Sequence, residues 1–324
     1  MSARSSAPRR GIVLGGGGVL GAAWMIGALS ALRDAWQWEP RESEVLIGTS
    51  AGSVLAALLG CGMAVDTLAN NQRGVIAPGD PGLEFDHDTA SGGALPGLPR
   101  FGIGSPALLA AAVRHPRRLP PLAVVAGLAP QGRGSLDPVR TLVDAANPDG
   151  GWAPHPATWL VAMDYEAGRR VAFGRPGAPE ASLTEGVVAS CAIPGWYSPA
   201  VIGGRRYVDG GTCSPTSLDL LAREGLDEVV VLAPMMSFDM DEPGTLVGRV
   251  ERRFRRAMTK RVLHEAAKVR RHGASVTLLG PGREDLQAIG VNLMDARRRR
   301  TVFETSLRTS AHALAGGAST LPAA

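Results

Sequence analysis

The sequence predicts an α/β fold, a parallel sheet with helices on its faces. Three observations lead there. Apolar strand-like runs at 11–14 and 45–47 alternate with helix-like runs at 22–35 and 53–59, and strand, helix, strand, helix is the order that builds parallel sheets. An apolar strand run recurs at 228–233 and a last strand candidate at 275–279, separated by a long helical stretch. At 324 residues the chain is long enough for about two domains, yet α/β chains of this length often fold around one sheet.

Each element has a local reason. Residues 1–10 read as a loose polar tail. Residues 11–14 form a short buried strand that the glycine quartet Gly15, Gly16, Gly17 and Gly18 breaks off, and in 22–35 Met25, Leu29 and Leu32 keep the three-and-four spacing of a helix packed on a sheet. Between 74 and 134 the chain turns rich in Gly and Pro, with one helical candidate at 106–113 and an apolar, Pro-rich stretch at 119–130. A connection this long is expected to act as a lid or to be disordered. Asp137 and Pro138 start another helix. Residues 159–163 and 170–173 read as a hairpin, and Ser182 with Glu185 as a capping box for a helix running toward Cys191. Residues 201–202 and 207–208 flank Gly203 and Gly204 as a tighter hairpin. Basic helices, the strand at 275–279 and a last helix at 296–315 close the chain. This divides it into a tail (1–10), a catalytic domain (11–280) and an Arg-rich helical extension (281–324) packed on the same domain.

Composition excludes several classes. Hydrophobic residues make up 45% and charged residues 20%, outside the range of disordered chains. The formal charge of +4 is too small to indicate nucleic acid, although nearly all 34 basic residues are Arg, with lysine only at 260 and 268. Cys61, Cys191 and Cys213 are odd in number and widely spaced, which fits a reduced, cytoplasmic chain better than a disulfide framework. The uncharged stretch between Arg10 and Arg33 superficially resembles a leader or a membrane span. Its glycines argue against both, since each costs about 1 kcal/mol in a helix.

Chemistry concentrates at three places. The first is the loop from Gly15 to Gly21, between a strand and a helix, where backbone N–H groups face a bound anion beside the positive helix end. Gly16, Gly18 and Gly21 also satisfy G-x-G-x-x-G, so a dinucleotide-binding α/β protein is the alternative. The segment after the second strand, Gly48, Thr49 and Ser50, lacks the acidic residue such a cofactor wants, and Ala22 and Ala23 exclude a Walker loop. The second place is G-x-S-x-G over Gly48, Ser50 and Gly52. It again joins a strand to a helix, as a nucleophile elbow requires, although Ser50 as a plain helix cap remains open. The third is Asp209, Gly210 and Gly211 after a hairpin strand, which alone reads as a turn. His264, His272 and His312 follow these motifs but sit in helical, Arg-rich or terminal sequence, leaving a Ser-His-Asp esterase as a minor alternative.

Together the three motifs, with the run from Ala189 to Pro194, resemble the patatin-like phospholipases over roughly residues 10–235. The resemblance implies a three-layer α/β/α architecture with a mostly parallel central sheet and a serine acyl hydrolase acting on fatty acyl esters or phospholipids. It assigns Ser50 as nucleophile, Asp209 as base, Gly16, Gly17 and Gly18 as oxyanion donors, and Gly21, Gly48, Gly52, Gly210 and Gly211 as supports. No metal or other cofactor is expected. Leu20 departs from the family, many of whose members carry Arg or Lys there, which leaves open how the loop is anchored. Residues 248–273 hold ten Lys/Arg against Glu251 and Glu265, with Val247, Val250, Phe254, Met258 and Val262 as an apolar stripe. Such a helix either lies on an anionic membrane surface or turns its stripe to the sheet.

Overall fold

The computed structural model describes residues 8–75, 100–114, 119–317 and 320–321. Among these, nine strands form one sheet. Its centre is parallel and runs in the order β3 (Thr158–Asp164), β2 (Val45–Thr49), β1 (Arg10–Leu14), β7 (Glu228–Leu232), β8 (Ser275–Leu279). Four antiparallel strands trim it. β4 (Arg169–Phe173) folds back on β3, β5 (Ala200–Ile202) and β6 (Arg205–Asp209) make the second hairpin, and β9 (Thr320–Leu321) pairs with β8. Gly203 and Gly204 both have positive φ (54° and 75°), as a tight two-residue hairpin turn demands.

The central strands are apolar throughout because both faces are covered. Ile12, Leu14, Leu46, Val230 and Leu232 point into one core, together with α1 (Gly18–Trp36), α2 (Ala51–Gly60), α3 (Val65–Arg73), α6 (Asp137–Ala146), α7 (Leu183–Cys191) and α10 (Arg299–Ala315). Val13, Val45, Ile47, Val229 and Val231 point into the other, covered by α8 (Leu246–Arg270) through Val262, Ala266 and Val269. This period-two division gives the expected α/β layers. The capping box of α7 forms as written: Glu185 N–H donates to Ser182 Oγ at 3.2 Å, and Ser182 N–H to Glu185 Oε2 at 2.8 Å.

Several elements differ from expectation. α1 begins at Gly18, four residues early, because the last glycines join its first turn. α3 is mostly polar and lies where no element is expected, yet its buried Val65, Leu68 and Ala69 keep three-and-four spacing. The apolar stretch at 119–130 contains a helix, α5 (Pro121–Leu128), that packs beside α4 (Pro106–Arg114). Leu108 and Ala123 of this pair meet Met163, Tyr165 and Val208 in a small separate core, and Tyr165 Oη donates to the Ala126 carbonyl at 2.7 Å. The described part of the segment expected to be a lid thus has a core of its own. Residues 76–99 and 115–118 of that segment lie outside the described residues.

The order of the strands reverses at β1: the chain moves to β2 and β3 on one side and to β7 and β8 on the other. The carboxyl ends at such a reversal leave a crevice, the usual place for a ligand in open α/β sheets. On the outer layer, α10 lies against α1 so closely that a Cβ at Gly27 would sit 2.6 Å from the Phe303 carbonyl oxygen and 2.8 Å from Leu307 N. Gly27→Val should therefore push these helices apart and lower stability by about 1–3 kcal/mol, read as a reduced urea midpoint.

Candidate active site

The crevice at the carboxyl edge is built by three glycine-dependent turns. After β1, the Gly15 N–H donates to the Leu232 carbonyl and the Gly16 N–H to the Pro215 carbonyl, both at 2.9 Å. The Leu20 N–H donates to the Leu293 carbonyl at 2.9 Å. Pro234 packs on the loop, so a Cβ at Gly17 would lie 2.8 Å from its ring and one at Gly21 3.2 Å from it. Backbone bonds and the proline ring thus anchor the loop that carries Leu20 in place of a basic residue. The Gly16 N–H, expected as an anion donor, is engaged with Pro215. Gly17 and Gly18 begin α1 with their N–H groups at the positive end of the helix, where the first-turn donors lack intrahelical partners.

After β2 the chain turns so sharply that Ser50 takes φ 54° and ψ −125°, a strained conformation for a residue with a side chain. The turn needs glycine on both sides. A Cβ at Gly48 would lie 2.3 Å from the Gly52 carbonyl oxygen, and one at Gly52 2.0 Å from that of Leu14. Ser50 precedes α2 but does not cap it with its side chain. Its hydroxyl instead lies close enough to the Asp209 carboxylate to favour that group's ionised form.

The register explains why those two residues meet. Leu160 and Val161 pair with β2 on one side and β4 on the other. From Ala162 onward β3 keeps β4 and pairs with β6 in place of β2. β6 therefore continues the sheet where β2 stops, and Asp209, opposite Ala162, comes next to Thr49, opposite Val161. Gly210 lets the chain leave at this point, since a Cβ there would lie 2.3 Å from the Val161 carbonyl oxygen. The Gly211 N–H donates to Asp209 Oδ1 at 2.7 Å. Burial pushes the Asp209 carboxyl up to about 6, while the Ser50 hydroxyl and the Gly211 amide pull it back.

Beside the pair lies Cys191, whose thiol donates to the Ser50 carbonyl at 3.4 Å and, being buried, is pushed up to about 12 and stays protonated. Ser190, which sequence reasoning placed only within the approach to Asp209, has a specific part. Its Oγ accepts the Ser50 N–H at 2.9 Å and donates to the Val161 carbonyl at 2.6 Å, tying the elbow to β3. Ser50 opens into a cleft of about 1000 Å³, mouth included, walled mainly by apolar residues such as Val54, Leu55, Leu58, Leu142 and Met294. An apolar cleft suits a hydrocarbon chain and not a dinucleotide. Among the described residues no histidine lines it, and His264, His272 and His312 are all exposed.

The family model for patatin-like phospholipase matches residues 12–222, well over half of the chain. Among solved structures, VipD from Legionella pneumophila aligns with a TM-score of 0.45 at 14% identity, covering 98% of this chain and 69% of that one. No curated protein matches. The family model ends before Leu293, Met294 and α8, so those contributions to the crevice were not legible in the motifs.

The Ser190 bridge can be tested alone. Ser190→Ala leaves the Ser50 N–H and the Val161 carbonyl without this partner, and stability should fall by about 1–3 kcal/mol in urea denaturation.

Proposed function

The chain belongs to the patatin-like phospholipase family, and from that premise we propose that it hydrolyses fatty acyl esters, phospholipids among them, through Ser50 and Asp209. The observation that carries this reading is a serine on a strained strand-to-helix turn, beside a buried carboxylate and lining an apolar cleft. Ionised Asp209 accepts the Ser50 proton as Oγ attacks the ester carbonyl. The negative charge on the carbonyl oxygen is held by the Gly17 and Gly18 amides at the start of α1, with Gly16 fixing the loop behind them. As the tetrahedral species collapses, Asp209 returns the proton to the leaving alcohol and an acyl-serine ester remains. Asp209 then takes a proton from water, whose oxygen attacks that ester, and the fatty acid leaves with Ser50 restored.

The cleft explains the preference for acyl chains: a chain extending from the Ser50 ester passes along α2, whose Val54, Leu55 and Leu58 face it. Nothing in the cycle calls for a metal or cofactor. Among the described residues no helix is long and apolar enough to cross a membrane.

Three outcomes test the mechanism. A fluorophosphonate probe should label the wild type and not Ser50→Ala. Asp209→Asn should lower kcat/KM by about 10²–10⁴, and combining it with Ser50→Ala should add little further loss. A profile of kcat/KM against pH should fall on the acid side with a midpoint near 6, because the base must be ionised.

The same shift affects stability, with a definite sign. The folded carboxyl titrates above its ordinary 3.8, so folding binds the proton more tightly. That contribution is complete below about 3.8 and is lost as the pH rises through about 6. At pH 8 the ionised group then costs on the order of 3 kcal/mol. Asp209→Asn should therefore raise the urea midpoint at pH 8 while abolishing most activity, and the gain should shrink toward pH 4.

A further inference from the structure

The amino-terminal half of α8 is built inside out. Its buried face is charged: Arg252 and Arg255 are 4% and 0% exposed, and with Gly248 and Thr259 they form the side turned to the protein. Its outer face is apolar: Leu246, Val247 and Val250 are 75%, 67% and 60% exposed, and Phe254 is 40% exposed. Isolated exposed apolar residues are ordinary, but four within little more than two helical turns on one face form a patch.

The charges beside that patch are unbalanced. Asp241 and Glu251 are engaged by the buried guanidinium groups: Arg252 bonds to both, and Arg255 Nε donates to Glu251 at 3.0 Å. Arg249, Arg253, Arg256 and Lys260 are exposed, and no ion pair is found for them among the described residues. At about 100° per residue they form a stripe adjoining the apolar one. A pocket at the start of the helix is lined by Arg249, Arg253 and Arg256 against Asp241, which Arg252 engages, and Glu242.

The face also has a definite place relative to the site. α8 leaves β7 at the carboxyl edge of the parallel strands and returns to β8, so its first half stands at the edge that carries Ser50. The contact is direct. Arg255 Nη1 donates to the Pro234 carbonyl, and the Pro234 ring packs on Gly17 and Gly21.

We propose that the amino-terminal half of α8 is the face by which the protein docks on an anionic phospholipid bilayer. Leu246, Val247, Val250 and Phe254 enter the boundary between headgroups and acyl chains, and Arg249, Arg253, Arg256 and Lys260 meet the lipid phosphates. Because this half-helix touches the glycine loop through Arg255 and Pro234, docking brings the carboxyl edge to the lipid surface. The proposal rests on the hydrolase reading for its purpose only, since binding is measured without turnover.

The test uses the full chain carrying Ser50→Ala and co-sedimentation with vesicles of phosphatidylglycerol and phosphatidylcholine, compared with phosphatidylcholine alone. Binding should be tighter to the anionic vesicles and should weaken with added salt. Arg249→Gln, Arg253→Gln and Arg256→Gln should each cost about fivefold in affinity, which corresponds to about 1 kcal/mol, and the triple variant about a hundredfold. Val250→Ser with Phe254→Ser should also release the protein. With Ser50 intact, both sets should hydrolyse a short soluble ester at the parental rate, which shows that they are folded. Equal binding to both kinds of vesicle, or undiminished binding by both sets of variants, overturns the proposal. So does a parental dimer that Val250→Ser with Phe254→Ser converts to monomer in sedimentation velocity, since a second copy would then own the face. Vesicle binding without fluorophosphonate labelling of the Ser50 protein would instead remove the hydrolase reading and leave the docking face standing.

Discussion

One side of strand β3 is shared end to end by two partners, β2 running parallel and then β6 running antiparallel. The functional geometry depends on that handover. A parallel strand has to leave the sheet at its carboxyl end, and an antiparallel strand arriving along the same line ends where the other left. Ser50 and Asp209 are thus brought together by main-chain pairing and not by long side chains reaching across a gap. Because the hydrogen-bond ladder sets their spacing, short residues suffice, and both can be held in a buried corner where a carboxylate is costly to ionise.

The glycine loop on the neighbouring strand solves a different problem. In the proposed mechanism its donors face an incoming oxygen while the loop itself stays rigid, and a cationic side chain within the loop would be one means of fixing it. Here the fixing comes from outside. Leu232, Pro215 and Leu293 each offer a carbonyl, and Pro234 lays its ring across Gly17 and Gly21. The buried cation Arg255 reaches the loop only through Pro234, while its Nε donates to Glu251. Leu20 is free to be apolar because its backbone N–H, and not its side chain, does the anchoring, and its side chain is buried in the α1 core.

Much of the architecture was legible in the chain. Continuous apolar runs marked the buried strands, and the spacing of small residues marked the elbow, because both are local demands of the backbone. The pairing of Asp209 with Ser50 was not local: the motifs alone allowed a plain turn and a plain helix cap, and only the resemblance joined them. Ser190, Pro215, Pro234 and Leu293 carry no local signature, since each matters through what the fold places beside it. Helix α8 shows why periodicity by itself misled. Residues four apart advance about 40° around a helix, so a stripe written at that interval winds from one face to another. Val250 and Phe254 begin it facing outward and Val262 ends it facing the sheet. Only the second half of the helix turns the stripe to the sheet, and the first half leaves it exposed.

The Leu293 carbonyl that fixes Leu20 and the Met294 side chain that lines the cleft come from the far end of the described chain, while the loop they complete follows the first strand. During synthesis the glycine loop and the elbow leave the ribosome early, long before their last supports exist. The closure joining them spans nearly the whole polypeptide, the kind of contact whose entropy is paid late in folding. A nascent chain that already carries the elbow therefore lacks one wall of the cleft beside it, so the crevice is complete only once residues 293 and 294 have been made.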